Sequence, residues 1–149
     1  MKKNEKVTDY EQLIKEQGFV CSTIVGRSMY PMLRNRKDTI VVKKVDEQLK
    51  KYDVPLYKRD GKYILHRIIA VKSDHYVICG DNCYEREYVT EDMIIGVLSE
   101  FYRGDKKIQL DNVFYKSYVF FWRYTFGIRF LLKKIRRVLG RVKRTIQKR

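Results

Sequence analysis

The chain has 149 residues, 44% of them hydrophobic, which suits one domain with a modest core plus an appendage and excludes a globally disordered chain. Its formal net charge is +15, which points to anionic lipid, nucleic acid or acidic partners according to where the charge lies. Cys21, Cys79 and Cys83 are an odd set without a signal peptide, so reduced thiols and a cytosolic compartment are expected.

Residues 1–18 are polar. Lys2 and Lys3 resemble the basic start of a signal peptide, but no apolar run follows them. Thr8 or Asp9 caps a short helix that runs through Glu16 and ends at Gly18. The segment is too short for a helix-turn-helix module. Phe19 to Val25 reads as a first strand, leading into Gly26-Arg27-Ser28-Met29-Tyr30-Pro31. Thr39 to Val45 is a half-buried strand, and Asp46 to Tyr52 is turn-like. Val54 to Lys58 carries Pro55, as an edge strand or a strand start does. Asp60-Gly61 favours a tight primed turn, from which Tyr63 to Lys72 pairs back as one strand carrying His66. His75 to Cys79 follows the Ser73-Asp74 turn and stops at Gly80-Asp81-Asn82. Val89 to Asp92 is a short capping segment. Met93 to Tyr102 and Lys107 to Leu110 are further strands around Arg103-Gly104-Asp105-Lys106. Many short strands separated by turn signals predict a mainly β, barrel-like fold for residues 19–111.

Residues 112–149 are a different object. They hold 12 of the 33 lysines and arginines and no acidic residue. Phe114, Tyr118, Phe121, Thr125, Ile128, Leu132, Ile135, Leu139, Val142 and Ile146 step by four and three, which predicts one amphipathic helix with a basic opposite face. Arg123 and Arg129 interrupt every window long enough to span a bilayer. The pattern fits a helix lying on an anionic membrane surface, and the positive charge favours the cytoplasmic face. Docking on a partner protein is the next reading. Nucleic acid fits least, because the aromatics form one helix face rather than a stacking platform.

Within residues 19–111, Ser28 lies between Gly26 and Pro31, where the backbone is tightly shaped. Such a turn can present a nucleophile, and it is also an ordinary turn. Serine needs a neighbour to take its proton. His66, in a strand-like apolar run, titrates in the right range. A carboxylate that fixes the imidazole tautomer completes the arrangement, and Asp81 is a candidate. His75 lies beside Asp74 at a strand start and reads as exposed. Met29 belongs to the wall of a cleft or to the core. Cys79 and Cys83 have no four-ligand set around them, so they read as structural thiols rather than metal ligands.

Five motifs in order, G-R-S-M-Y-P-M-L, K-Y-D-V-P-L-Y-K-R, Y-I-L-H-R-I-I-A-V, I-C-G-D-N and I-I-G-V-L, resemble the motif set of type I signal peptidases and the related self-cleaving SOS-type repressors. The resemblance covers about Val25 to Arg103. It implies coiled antiparallel sheets with the active serine in a groove that binds substrate as an added strand. It implies Ser28 as nucleophile and His66 as general base, the Ser/His type found in endoplasmic-reticulum and sporulation-associated members. The acid is Asp81, or Glu87 a few residues downstream, with Glu85 a further possibility. The Ser28 amide is the implied oxyanion donor; the place where many bacterial members carry a side-chain hydroxyl is Gly26 here. No cofactor or metal is implied. The sequence departs from the family where Asn35-Arg36-Lys37-Asp38 and Tyr52-Asp53 replace glycine-aspartate turns, and in having no apolar span ahead of Ser28. The expected activity is a serine endopeptidase acting on signal or leader peptides. The alternative is a catalytically inactive peptidase-like module bound at a membrane surface.

Overall fold

The computed structural model describes residues 9–146, without the side chains of 133, 137, 138 and 140–146. It divides into two units, Met1–Asn112 and Val113–Arg149.

The first unit is mainly β. Helix α1 (Tyr10–Gln17) starts at Asp9, whose carboxylate accepts from the Glu11 and Gln12 amides. It ends at Gly18, left-handed at φ 80°, whose N–H donates to the Ile14 carbonyl. Thr8, the other candidate cap, lies outside the described residues. Ile14 is buried, so α1 packs onto the sheet.

The larger sheet is antiparallel and six-stranded, in the order β1 (Phe19–Thr23), β2 (Asp38–Lys43), β8 (Ile94–Arg103), β3 (Pro55–Arg59), β4 (Lys62–Leu65). Strand β9 (Lys106–Gln109) also pairs with β8. The first half of β8 carries β3 and the second half β9, while β2 lies along most of its length. Register shifts at Val41/Val42 and Leu56/Tyr57 bend these pairings, and the sheet curls. On β2, alternate residues Asp38, Ile40 and Val42 are buried, the period-2 pattern its sequence predicts. The β3–β4 hairpin turns on Asp60 (φ 50°) and Gly61 (φ 70°), the two positive φ values a primed turn demands.

The smaller sheet orders β5 (Arg67–Val71), β6 (Tyr76–Cys79) and β7 (Glu87–Val89). Every residue of β6 is buried. Between the sheets Tyr57 packs with Leu49, Ile68, Tyr76, Ile78 and Val89, all buried. Burying each of these large side chains contributes roughly 1.5–3 kcal/mol.

Two expectations for this unit are corrected. Tyr63 to Lys72 is not one strand. It breaks at His66, where the chain leaves the larger sheet as β4 and enters the smaller one as β5. The segment at Val89 is not merely a cap: Glu87–Val89 pairs with β6, and a 3-10 turn, Glu91–Met93, follows.

Among the described residues the second unit holds two helices rather than one, α2 (Val113–Tyr124) and α3 (Phe126–Ile146). Backbone bonds from Thr125 N–H to Phe121 and from Arg129 N–H to Thr125 carry the helical pattern across the break. The Thr125 hydroxyl donates to the Phe121 carbonyl, a back-bond that bends helices, and Gly127 lowers local helix propensity. No helix among the described residues is long and apolar enough to cross a membrane.

Candidate active site

Ser28 lies in the connection between β1 and β2. Inside that connection Asn35 Oδ1 accepts the Gly26 amide at 2.8 Å, and Arg36 N–H donates to the Ile24 carbonyl at 2.8 Å. Met29, Met32 and Leu33 anchor it, each at most 3% exposed. Met29 is therefore a core residue, and it is not part of the groove lining beside Ser28. Asp38 is fully buried and takes three bonds from Arg34, from the backbone amide and from the Nε and Nη2 of its guanidinium. The Tyr30–Pro31 peptide is cis.

His66 is 8% exposed and sits where the chain passes between sheets. Its Nδ1 is 2.8 Å from Glu87 Oε1. The other oxygen of Glu87 accepts from the Tyr57 hydroxyl at 2.9 Å and from Arg59 Nη1 at 3.0 Å. Tyr57 is also 3.2 Å from His66 Nδ1. Three groups thus hold Glu87 in place, and its oxygen, accepting at Nδ1, assigns the imidazole proton to that nitrogen. The lone pair is left on Nε2, the atom that a general base uses.

Burial pushes the His66 pKa below the usual histidine value of 6.5; Glu87 opposes that shift through its charge and its hydrogen bond, and burial wins. His66 is neutral at neutral pH. Burial, then the bond to Glu87, pushes the Tyr57 phenol far up, so Tyr57 stays protonated and donates.

The Gly80-Asp81-Asn82 turn joins the two halves of the site. A Cβ built on Gly80 would meet the Ser28 carbonyl oxygen at 2.8 Å, Cys83 Sγ at 3.0 Å and His66 Cδ2 at 3.1 Å. Glycine is needed here for close approach. The Ser28 carbonyl oxygen and Cδ2 of the imidazole therefore flank one point. Asn82 clamps the serine loop, its amide donating to the Ser28 carbonyl at 2.7 Å and its Nδ2 to the Arg27 carbonyl at 3.1 Å. Among the described residues the Ser28 hydroxyl makes no hydrogen bond to His66. In ligand-free sites such contacts are often long and tighten with substrate.

Asp81, the acid named first from the sequence, acts on His66 through its charge, which raises the His66 pKa, and spends its hydrogen bonds on Arg67. Both its oxygens are bonded at 2.8 Å by Arg67, one by Nε and one by Nη2. The orienting contact belongs to the alternative acid, Glu87. Sequence order misled because Asp81 follows β6 directly, whereas Glu87 reaches His66 only through the β6–β7 pairing. The alternation Glu87 half-buried, Tyr88 exposed, Val89 buried was the available signal. Tyr57 and Arg59, which hold Glu87, were not anticipated at all. Glu85 is exposed. His75 lies apart from this cluster, with Nδ1 2.7 Å from Asp74 and its ring 5.4 Å from that of Tyr88.

Ser28 also lines a groove of about 290 Å³ with Ser22 to Val25 on one side and Tyr63 to Leu65 on the other. Among the described residues no group of three or more His, Cys, Asp or Glu side chains is placed to hold a metal ion. Comparison with protein-family models and with characterised proteins gives no match for this chain.

The two carboxylates are separable by measurement. Asp81→Ala removes the carboxylate that takes two bonds from buried Arg67 and is expected to destabilise the protein by roughly 3–5 kcal/mol in urea unfolding. Glu87→Gln removes an influence that raises the His66 pKa. The ring, already below 6.5 in the wild type, should titrate lower still by NMR in this variant.

Proposed function

We propose that the chain is a serine endopeptidase of signal-peptidase type. The observation that carries the reading is that the Ser28 carbonyl oxygen and Cδ2 of a neutral, Glu87-oriented His66 lie 2.8 and 3.1 Å from one point, the Cβ position of Gly80, while Ser28 also lines an open groove. The reading also draws on the ordered motifs of the sequence, and on Tyr52, which stands where the family carries a turn glycine. Tyr52 has φ 82°, a conformation natural to glycine. The specific fold of that family is part of the proposal.

In this mechanism Ser28 Oγ attacks the scissile carbonyl carbon and His66 Nε2 takes the hydroxyl proton. The Ser28 amide donates to the oxyanion. As the tetrahedral intermediate collapses, the carbon–nitrogen bond breaks and His66 returns the proton to the leaving amine. Water, activated by the same nitrogen, then hydrolyses the acyl-enzyme and regenerates Ser28. Glu87, whose charge and hydrogen bond raise the His66 pKa, stabilises the imidazolium formed along the way. Because neutral His66 is the working form, activity should rise with pH on an acid limb below 6.5. The substrate lies extended between β1 and β4, each of which has a strand neighbour on one side only.

The second unit supplies membrane attachment in this reading. Ile128, Leu132, Ile135 and Leu139 are each 45% or more exposed, at helical spacing on one face of α3. The unit has no acidic residue to oppose an anionic surface. Its apolar face enters the headgroup boundary while lysines and arginines meet lipid phosphates, at the cytoplasmic face of the membrane.

Incubation with a proteome-derived peptide library, followed by mass spectrometry, should reveal cuts that Ser28→Ala and His66→Ala each reduce by on the order of 10³-fold or more. Both variants should keep the wild-type circular dichroism spectrum. Cuts that persist in either variant would refute the dyad, and no cuts by the wild type would favour the inactive binding module. The full chain should co-sediment with phosphatidylglycerol vesicles and lose that binding when Ile128 and Leu132 are both replaced by Asp; undiminished binding would remove the membrane role.

A further inference from the structure

The groove beside Ser28 has a built end. It runs between β1 and β4, and the first turn of α1 is fastened to strands on both sides of it. On the β1 side, the Tyr10 hydroxyl is 2.8 Å from Ser22 Oγ. On the other side, the Tyr10 ring meets Tyr63 of β4 edge-on at 4.8 Å, and the Tyr63 hydroxyl donates to Asp9 at 3.1 Å. Lys58 of β3 reaches Glu11 at 2.7 Å. Ile14, 3% exposed, holds the rest of the helix down.

Tyr10 and Tyr63 line the same groove as Ser28. Tyr63 precedes His66 by three residues, so this wall stands about 10 Å from the base along β4, at roughly 3.3 Å per residue. An extended peptide lying along β4 has room for about three residues between the wall and the bond to be cut.

We propose that Tyr10 and Tyr63 form an end wall that sets how many residues the groove accepts on one side of the scissile bond. The inference rests on the peptidase reading above and names specificity-determining residues for it. A peptide of three residues on that side fits beneath the closed wall. A longer one turns out of the groove or lifts the first turn of α1, breaking the Tyr10, Tyr63 and Lys58 contacts.

The test uses the full chain and N-acetyl oligoalanine phosphonates that react with a serine nucleophile, with one, three or six alanines on the groove side of phosphorus. A small alkyl fluorophosphonate reports the reactivity of Ser28 itself. In the wild type the phosphonate rate should rise from one to three residues and fall at six by about tenfold, the effect of one or two lost main-chain hydrogen bonds. Tyr10→Ala should abolish the fall. Glu11→Lys, which breaks the tie to Lys58 without altering the wall, should reduce it; both variants are checked for wild-type thermal melting. A six-residue probe as fast as the three-residue one in the wild type overturns the end wall, as does a fall that persists in both variants. Failure of the small probe to label Ser28 overturns the peptidase reading, and the wall with it.

Discussion

Arg67 carries its guanidinium to a place where its side chain is 1% exposed, facing an Asp81 carboxylate that is 0% exposed. A charge so placed is tolerable only when paired and fully hydrogen-bonded, and here the fork is used throughout. Nε and Nη2 take Asp81, Nη1 donates to the Tyr52 carbonyl at 3.1 Å, and Nη2 also meets Met32 Sδ at 2.9 Å. One side chain thereby ties the serine loop, the turn before β3 and the Gly80–Asp81 turn to the residue next to His66. The short approaches around Gly80 depend on these three segments staying where Arg67 holds them. Asp81 is thus part of the frame around the Gly80 turn.

Much of the local structure was legible. Asp60-Gly61, Gly18 and the alternation along β2 are set by backbone sterics and by one buried face, and such signals are short-range. The division of a mainly β unit from a basic helical one followed from composition, because every acidic residue precedes Asn112. What lay beyond reach was long-range. The break at His66 interrupts an apolar run that reads as one strand, and only sheet partners decide that β4 joins β3 while β5 joins β6. Two carboxylates, Asp81 and Glu87, lay at comparable distance along the chain from the histidine. A buried arginine claims both oxygens of Asp81, which lies in a turn, while Glu87, carried on β7, reaches the histidine.

Two turns show how a pattern can be departed from without losing its geometry. Arg36 and Tyr52 adopt φ of 55° and 82° in the segments where glycine-aspartate turns were expected. Side chains in the left-handed region cost roughly 1–2 kcal/mol each, so the surrounding structure must hold them there. Arg36 is held by its amide bond to the Ile24 carbonyl. At Tyr52 the amide donates to Ile68 and the carbonyl accepts from Arg67.

Tyr57 belongs at once to the packed interior and to the hydrogen-bond set that positions Glu87. The Ser28 loop springs from the larger sheet, Glu87 rides on the smaller one, and His66 stands at the crossing. Close-packed interiors transmit small displacements instead of absorbing them. Exchanging Ile68, Ile78 or Val89 for a side chain of equal volume can therefore leave the folding free energy nearly unchanged and still shift Ser28 relative to His66. Alignment rather than stability sets the stricter limit on which residues this interior tolerates.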